Sequence, residues 1–123
     1  MKELQESAPL LAQTYSNRSG SYYGRITRPV VHFLLAKLVL NAEIYADDNW
    51  TDTQYPDGRD IYFEVDGNRL NAWQTVEAYC DSITAAGYRL EDNYEANFAV
   101  YNESSAENIF TIPMSKTLYT NQM

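Results

Sequence analysis

The stretch Leu34–Trp50, LLAKLVLNAEIYADDNW, decides the fold, because Lys37, Asn41 and Glu43 interrupt an otherwise apolar segment that then breaks into Asp47-Asp48-Asn49. Extended back to Val30, its apolar positions are Val30, Val31, Phe33, Leu34, Leu35, Ala36, Leu38, Val39, Leu40, Ala42, Ile44 and Tyr45. No uninterrupted run approaches the roughly 18–20 residues that a bilayer span requires. A helix apolar nearly all round is instead covered on more than one side by other elements. At about 100° per residue, Lys37 and Asn41 share one narrow polar seam, and His32 and Glu43 share another. Thr27-Arg28-Pro29 offers a hydroxyl cap and a proline in the first turn, and Asp47-Asp48-Asn49 offers a stop. The segment is a core helix, not a membrane span.

A second helix follows. Asn71 and Gln74 have the spacing of a capping box, and Gly87 after Ala85-Ala86 supplies a left-handed stop. Trp73, Val76, Cys80 and Ile83 recur on one face, which makes Cys80 a small buried hydrophobe. The fold expected is mainly α: a tetratricopeptide-like antiparallel helical pair with a long inter-helix insertion and minor β structure. In that pair Leu34, Leu38, Ala42 and Tyr45 pack against Val76, Cys80 and Ile83. Val30, Phe33 and Val39 then lie on faces the second helix does not cover. The insertion, Asp47 to Leu70, is too long for a repeat turn and must carry structure or a role of its own. Within it, Ile61-Phe63-Val65 alternates as a strand and Asp66-Gly67 is a tight turn, so Tyr62 and Phe63 point to opposite sides. Tyr94–Phe98 forms one more helical turn, and Ile109–Pro113 has strand character.

The chain has 123 residues, one domain's worth, and a formal net charge of −8. Such acidity repels phosphate backbones and argues against nucleic acid as a partner. A single cysteine excludes an internal disulfide and a cysteine-based zinc site. The N-terminus has acidic residues where a signal peptide is basic, and no apolar run follows. Both ends look cut from something longer.

The insertion concentrates the chemistry. It holds Trp50, Tyr55, Tyr62 and Phe63 among Asp47, Asp48, Asp52, Asp57, Asp60 and Arg59. Flat aromatic faces beside polar side chains suit a sugar, whose C–H faces stack while its hydroxyls hydrogen-bond. Trp50, Tyr55 and Arg59 are therefore the candidate ligand-binding residues. The plainer alternative is that Tyr62 and Phe63 pin the insertion to the scaffold while the acids are solvated. The aspartates do not fit the spacing of an EF-hand, and no metal or other cofactor is expected. His32, the lone histidine, is read as a packed or hydrogen-bonded core residue. Without a second histidine, triad and zinc-hydrolase mechanisms lack parts. Glu43 is the acid nearest an apolar setting, and an ion pair with a neighbouring helix accounts for it.

Three series of residues carry a family resemblance: LLAKLVLNAEIYA, then YCDSITAAGYRLEDNYEANF, then NESSAENIFTIPMSK. In this order, over about residues 24 to 117, the chain resembles the SusD/RagB family of outer-membrane glycan-binding lipoproteins of Bacteroidetes. Members are several times longer, so the resemblance implies that residues 1–123 form a single partial domain of a larger fold. It also implies non-catalytic capture of oligosaccharide at the cell surface beside a TonB-dependent, SusC-like transporter, with the helices as scaffold. None of the family's sugar-binding motifs maps onto a residue of this chain. A tetratricopeptide-type adaptor that binds a peptide and an acid–base glycosidase are the alternatives.

Overall fold

The computed structural model describes residues 1–49 and 51–113. In chain order it contains α1 (Lys2–Ser7), a 3-10 turn (Ala8–Leu10), α2 (Arg28–Leu40), α3 (Ala42–Ala46), β1 (Tyr62–Val65), β2 (Asn68–Asn71), α4 (Ala72–Ala85) and a 3-10 turn (Tyr94–Phe98). The architecture is mainly helical, with one small antiparallel sheet.

The long first helix breaks once. Asn41, at φ −104° and ψ 20°, ends α2 and starts α3. Its side-chain Nδ2 donates to the Lys37 carbonyl at 2.9 Å, offering the backbone an alternative to helix continuation. Thr27 occupies the N-cap position of α2, with Pro29 in the first turn. Contrary to expectation, its buried hydroxyl makes no capping bond and has no partner among the described residues.

The second helix starts as its sequence requires. The Asn71 side chain accepts from the Gln74 N–H at 3.0 Å, and the Gln74 side chain accepts from the Asn71 N–H at 3.1 Å. A capping interaction of this kind contributes about 1 kcal/mol. Gly87 follows at φ +98°, a conformation open to glycine and strained for other residues. In the insertion, β1 and β2 form a hairpin in which Val65 pairs with Asn68 and Tyr62 with Asn71. Its turn residues Asp66 and Gly67 both have positive φ, 50° and 79°, the type I′ arrangement that matches strand twist.

Helices α2 and α4 run antiparallel, as two core clusters demonstrate. Val31, Leu35 and Ala36 pack with Tyr79, Val65 and Ala8, while Val39 and Ala42 pack with Ala72 and the half-buried Phe63, Ile61 and Trp73. The early part of α2 thus meets the later part of α4, and the reverse.

The rotation of each helix differs from expectation. Leu34 is 42% exposed and Tyr45 69%, whereas Val30 and Val39, expected on uncovered faces, are buried. Phe33 does lie on the exposed side. On α4 Ile83 is buried and Val76 packs against both clusters, as expected, but Ala72, Thr75 and Tyr79 complete the inward face and Cys80 is exposed. A helix apolar on nearly every side has almost no polar face to fix its rotation. Small residues, Ala36, Ala42 and Ala72, lie in the two clusters where the helices meet. The Ile109–Pro113 segment forms no strand; it runs as irregular chain past Tyr88, whose hydroxyl donates to the Ile109 carbonyl at 3.4 Å.

Candidate functional site

Of the three predicted ligand residues, Trp50 lies outside the described residues. Tyr55 is 70% exposed on the insertion. Arg59 is engaged within its own turn: its Nη2 donates to Asp57 Oδ2 at 2.6 Å and its Nε to the same carboxylate at 3.0 Å. The guanidinium and the Arg59 N–H together hold the Asp57 carboxyl down at about 2. Tyr55 and Arg59 are therefore not joined to one another by a direct polar or cation–π contact among the described residues.

The described part of the insertion is a stitched loop. Asp47, Asp52 and Asp57 each accept a backbone N–H two residues on, from Asn49, Gln54 and Arg59, at 2.8–2.9 Å. These are side-chain turns, the local structure that aspartate favours. Among the described residues no group of three or more His, Cys, Asp or Glu is placed to hold a metal ion. Among the described residues Glu43 makes no ion pair with a neighbouring helix; its Oε1 accepts the Gly58 N–H at 2.8 Å. The Gly58 carbonyl in turn accepts the Ala72 N–H at 3.0 Å, fixing the insertion to the start of α4. Phe63 packs into the second core cluster, while Tyr62 faces outward with the Arg69 guanidinium 4.3 Å from its ring.

Among the described residues three concavities stand out. The first, about 480 Å³, is lined by Gln5, Arg28, His32, Glu64, Asp66 and Tyr79, among others. Gln5 Nε2 bridges the Glu64 carbonyl and the Tyr79 hydroxyl, at 2.8 and 2.9 Å. Arg28 donates through Nε and Nη2 to the Ala8, Pro9 and Leu11 carbonyls. The second, about 290 Å³, is an apolar groove of Met1, Leu38, Ala42, Tyr45, Ala46, Ile61 and Phe63. Leu38 and Tyr45, expected against α4, thus line a groove beside the insertion, whereas Ala42 also meets α4 at Ala72, as expected.

The third concavity, about 520 Å³, was not legible in the sequence. Residues from three separate segments line it, including Tyr15, Arg18, Arg89, Glu91, Tyr101, Asn102 and Ser104. Tyr15 is locked by the Tyr88 ring, with centroids 4.8 Å apart, and its hydroxyl occupies the space a Cβ at Gly87 would need. The Arg18 guanidinium lies 3.6 Å from the Tyr15 ring centroid. Glu91 Oε1 accepts the Ala106 N–H. Glu107 Oε2 accepts the Glu91 N–H at 3.1 Å and Asn97 Nδ2 at 2.8 Å, which holds its carboxyl below the usual range. The signal available beforehand was only the density of Asn, Ser and Tyr after Gly87, which does not reveal that the Tyr15 loop folds against it.

His32 gives a pH dependence of known sign. Burial, reinforced by the Arg28 charge and opposed by Asp66, lowers its pKa below 6.5. The unfolded chain then binds the proton more readily, so the stabilisation is present above about pH 6.5 and is lost as pH falls through the folded value. Urea denaturation between pH 7.5 and 5 should show stability declining with acidity, and His32→Gln should flatten that decline. Glu107, with a depressed carboxyl, acts only below its ordinary 4.5. An unchanged slope in the variant would contradict the assignment.

No protein-family model, curated protein or solved structure matches the chain. Among the described residues no helix is long and apolar enough to cross a membrane.

Proposed function

We propose that the protein captures oligosaccharides without cleaving them, as the surface lipoprotein partner of a TonB-dependent outer-membrane transporter. In this reading α2 and α4 act as a tetratricopeptide-like pair within a larger helical scaffold. One observation carries it: aromatic side chains stand exposed in polar, acidic surroundings, with Tyr55 on the insertion and Tyr94, Phe98 and Tyr101 beyond α4. An exposed ring in a polar setting offers an apolar face for stacking and, in tyrosine, a hydroxyl for bonding. The family resemblance of the sequence points the same way.

The placement of the acids favours binding over acid–base glycosidase chemistry. Glu43, Glu91 and Glu107 each accept a backbone N–H from a neighbouring segment, so their carboxylates hold loops together. A general acid needs a carboxyl whose pKa is raised, and Glu107 is shifted in the opposite direction. The reading of the protein as a peptide-binding adaptor is favoured by one feature, the apolar groove between Leu38, Tyr45, Ile61 and Phe63, which has the character of a helix-docking surface.

Calorimetry of the full chain against an oligosaccharide panel, with a reducing-sugar assay on the same mixtures, tests the proposal. Binding without release of reducing ends is expected. Tyr55→Ala and Trp50→Ala each remove a stacking face without changing the loop's charge, and a ring that touches sugar should lower affinity about 5-fold or more, about 1 kcal/mol. Release of reducing sugar by the wild type would overturn the proposal.

A further inference from the structure

We infer that the cleft between the Tyr15–Arg18 loop and the Gly87–Ala106 segment binds a carboxylate-bearing sugar, a uronic acid residue, with Arg18 and Arg89 holding the carboxylate. This rests on the reading of the protein as an oligosaccharide binder and names the class of sugar.

The charge distribution is the first argument. In a chain of net charge −8, three of the four arginines elsewhere have visible structural work: Arg28 holds three carbonyls, Arg59 holds Asp57, and Arg69 covers Tyr62, while Arg25 stands exposed outside the cleft. Arg18 and Arg89 line one cleft, both exposed, and no carboxylate pairs with either among the described residues. The acid that shares the cleft, Glu91, directs one carboxylate oxygen to the Ala106 N–H. Two arginines therefore line a cavity with a single, partly engaged negative charge. A planar carboxylate fits the guanidinium fork through paired hydrogen bonds.

The second argument is that the lining suits a sugar ring rather than a bare anion. Tyr101, 84% exposed, lines the cleft, and Asn102 and Ser104 add groups that bond hydroxyls. A volume of about 520 Å³ lies within the usual range of small-ligand sites, about 300–1,000 Å³. The third argument is rigidity. Arg18 is stacked on Tyr15, Tyr15 is held by Tyr88 and Gly87, and the backbone that carries Arg89 is tied to the Ala106 carbonyl by its N–H at 3.0 Å. A prepared site loses less freedom when it binds.

The test is calorimetric titration of the full chain with galacturonate and glucuronate oligomers, against galactose and glucose oligomers of equal length and sulfated galactose oligomers. A uronate oligomer should bind about tenfold tighter than its neutral counterpart, the difference shrinking as salt is added. The Arg18→Gln/Arg89→Gln double variant should bind both alike. Arg89→Gln alone changes an exposed side chain, keeps the Arg18–Tyr15 stack, and should lose part of the preference with an unaltered melting temperature. Equal affinity for neutral and uronate oligomers, a preference that survives the double variant, or a preference for the sulfated oligomer would each overturn the inference while leaving oligosaccharide binding intact. No binding of any oligomer would overturn both.

Discussion

Leu35→Ala is expected to cost about 2–5 kcal/mol of unfolding free energy, whereas Leu34→Ala beside it should cost about 1 kcal/mol or less. Leu35 is 1% exposed, among Val31, Ala36 and Tyr79, where truncation leaves a void between α2 and α4. Leu34, 42% exposed, leaves a gap that water fills. Leu38, half-buried over the apolar groove, should fall between them. Urea denaturation of the three variants reads the rotation of α2 directly. A larger loss at Leu34 than at Leu35 would mean that α2 turns its other face to α4.

Gly58→Ala is expected to destabilise the protein by about 1–3 kcal/mol, although Gly58 lies in a surface insertion. A Cβ there would stand 2.4 Å from Cζ2 and 2.6 Å from Cε2 of Trp73. The loop cannot withdraw easily, because the Gly58 N–H is held by Glu43 and its carbonyl by Ala72. Nor can the indole, which is packed against Val39, Ala42 and Ala72. Thermal denaturation measures the effect, and a melting temperature equal to wild type would show that the insertion is not seated on α4.

The elements were legible where short-range chemistry fixes them. The Asn71–Gln74 capping box, the Asp66-Gly67 turn, the Gly87 stop and the Tyr94–Phe98 turn all depend on residues a few positions apart. The mainly helical class with one small sheet followed from the same signals. What failed was rotation. The apolar pattern from Val30 to Tyr45 is compatible with several faces, and the structure chose the one that brings Ala42 against Ala72. Cys80 followed the same error onto the exposed side of α4. Glu43 was recognised as unusual, but its partner, the Gly58 N–H, is a backbone group that no side-chain pattern announces. The site was less legible still. Arg59 stood out as a cation among acids, yet its nearest acid, Asp57, takes it up. The cleft of Arg18 and Arg89 depends on residues about seventy positions apart meeting through Tyr15 and Tyr88, a tertiary contact that local spacing does not encode.

Saturation-transfer NMR on the full chain mixed with intact oligosaccharides tests the central claim most directly, because one sample reports both contact and cleavage. Oligosaccharide capture predicts magnetisation transfer from protein aromatics to the C–H faces of at least one glycan, with its spectrum unchanged over hours. New reducing-end anomeric signals would show hydrolysis and contradict the claim, as would the absence of transfer to every glycan in a panel of neutral and acidic oligomers.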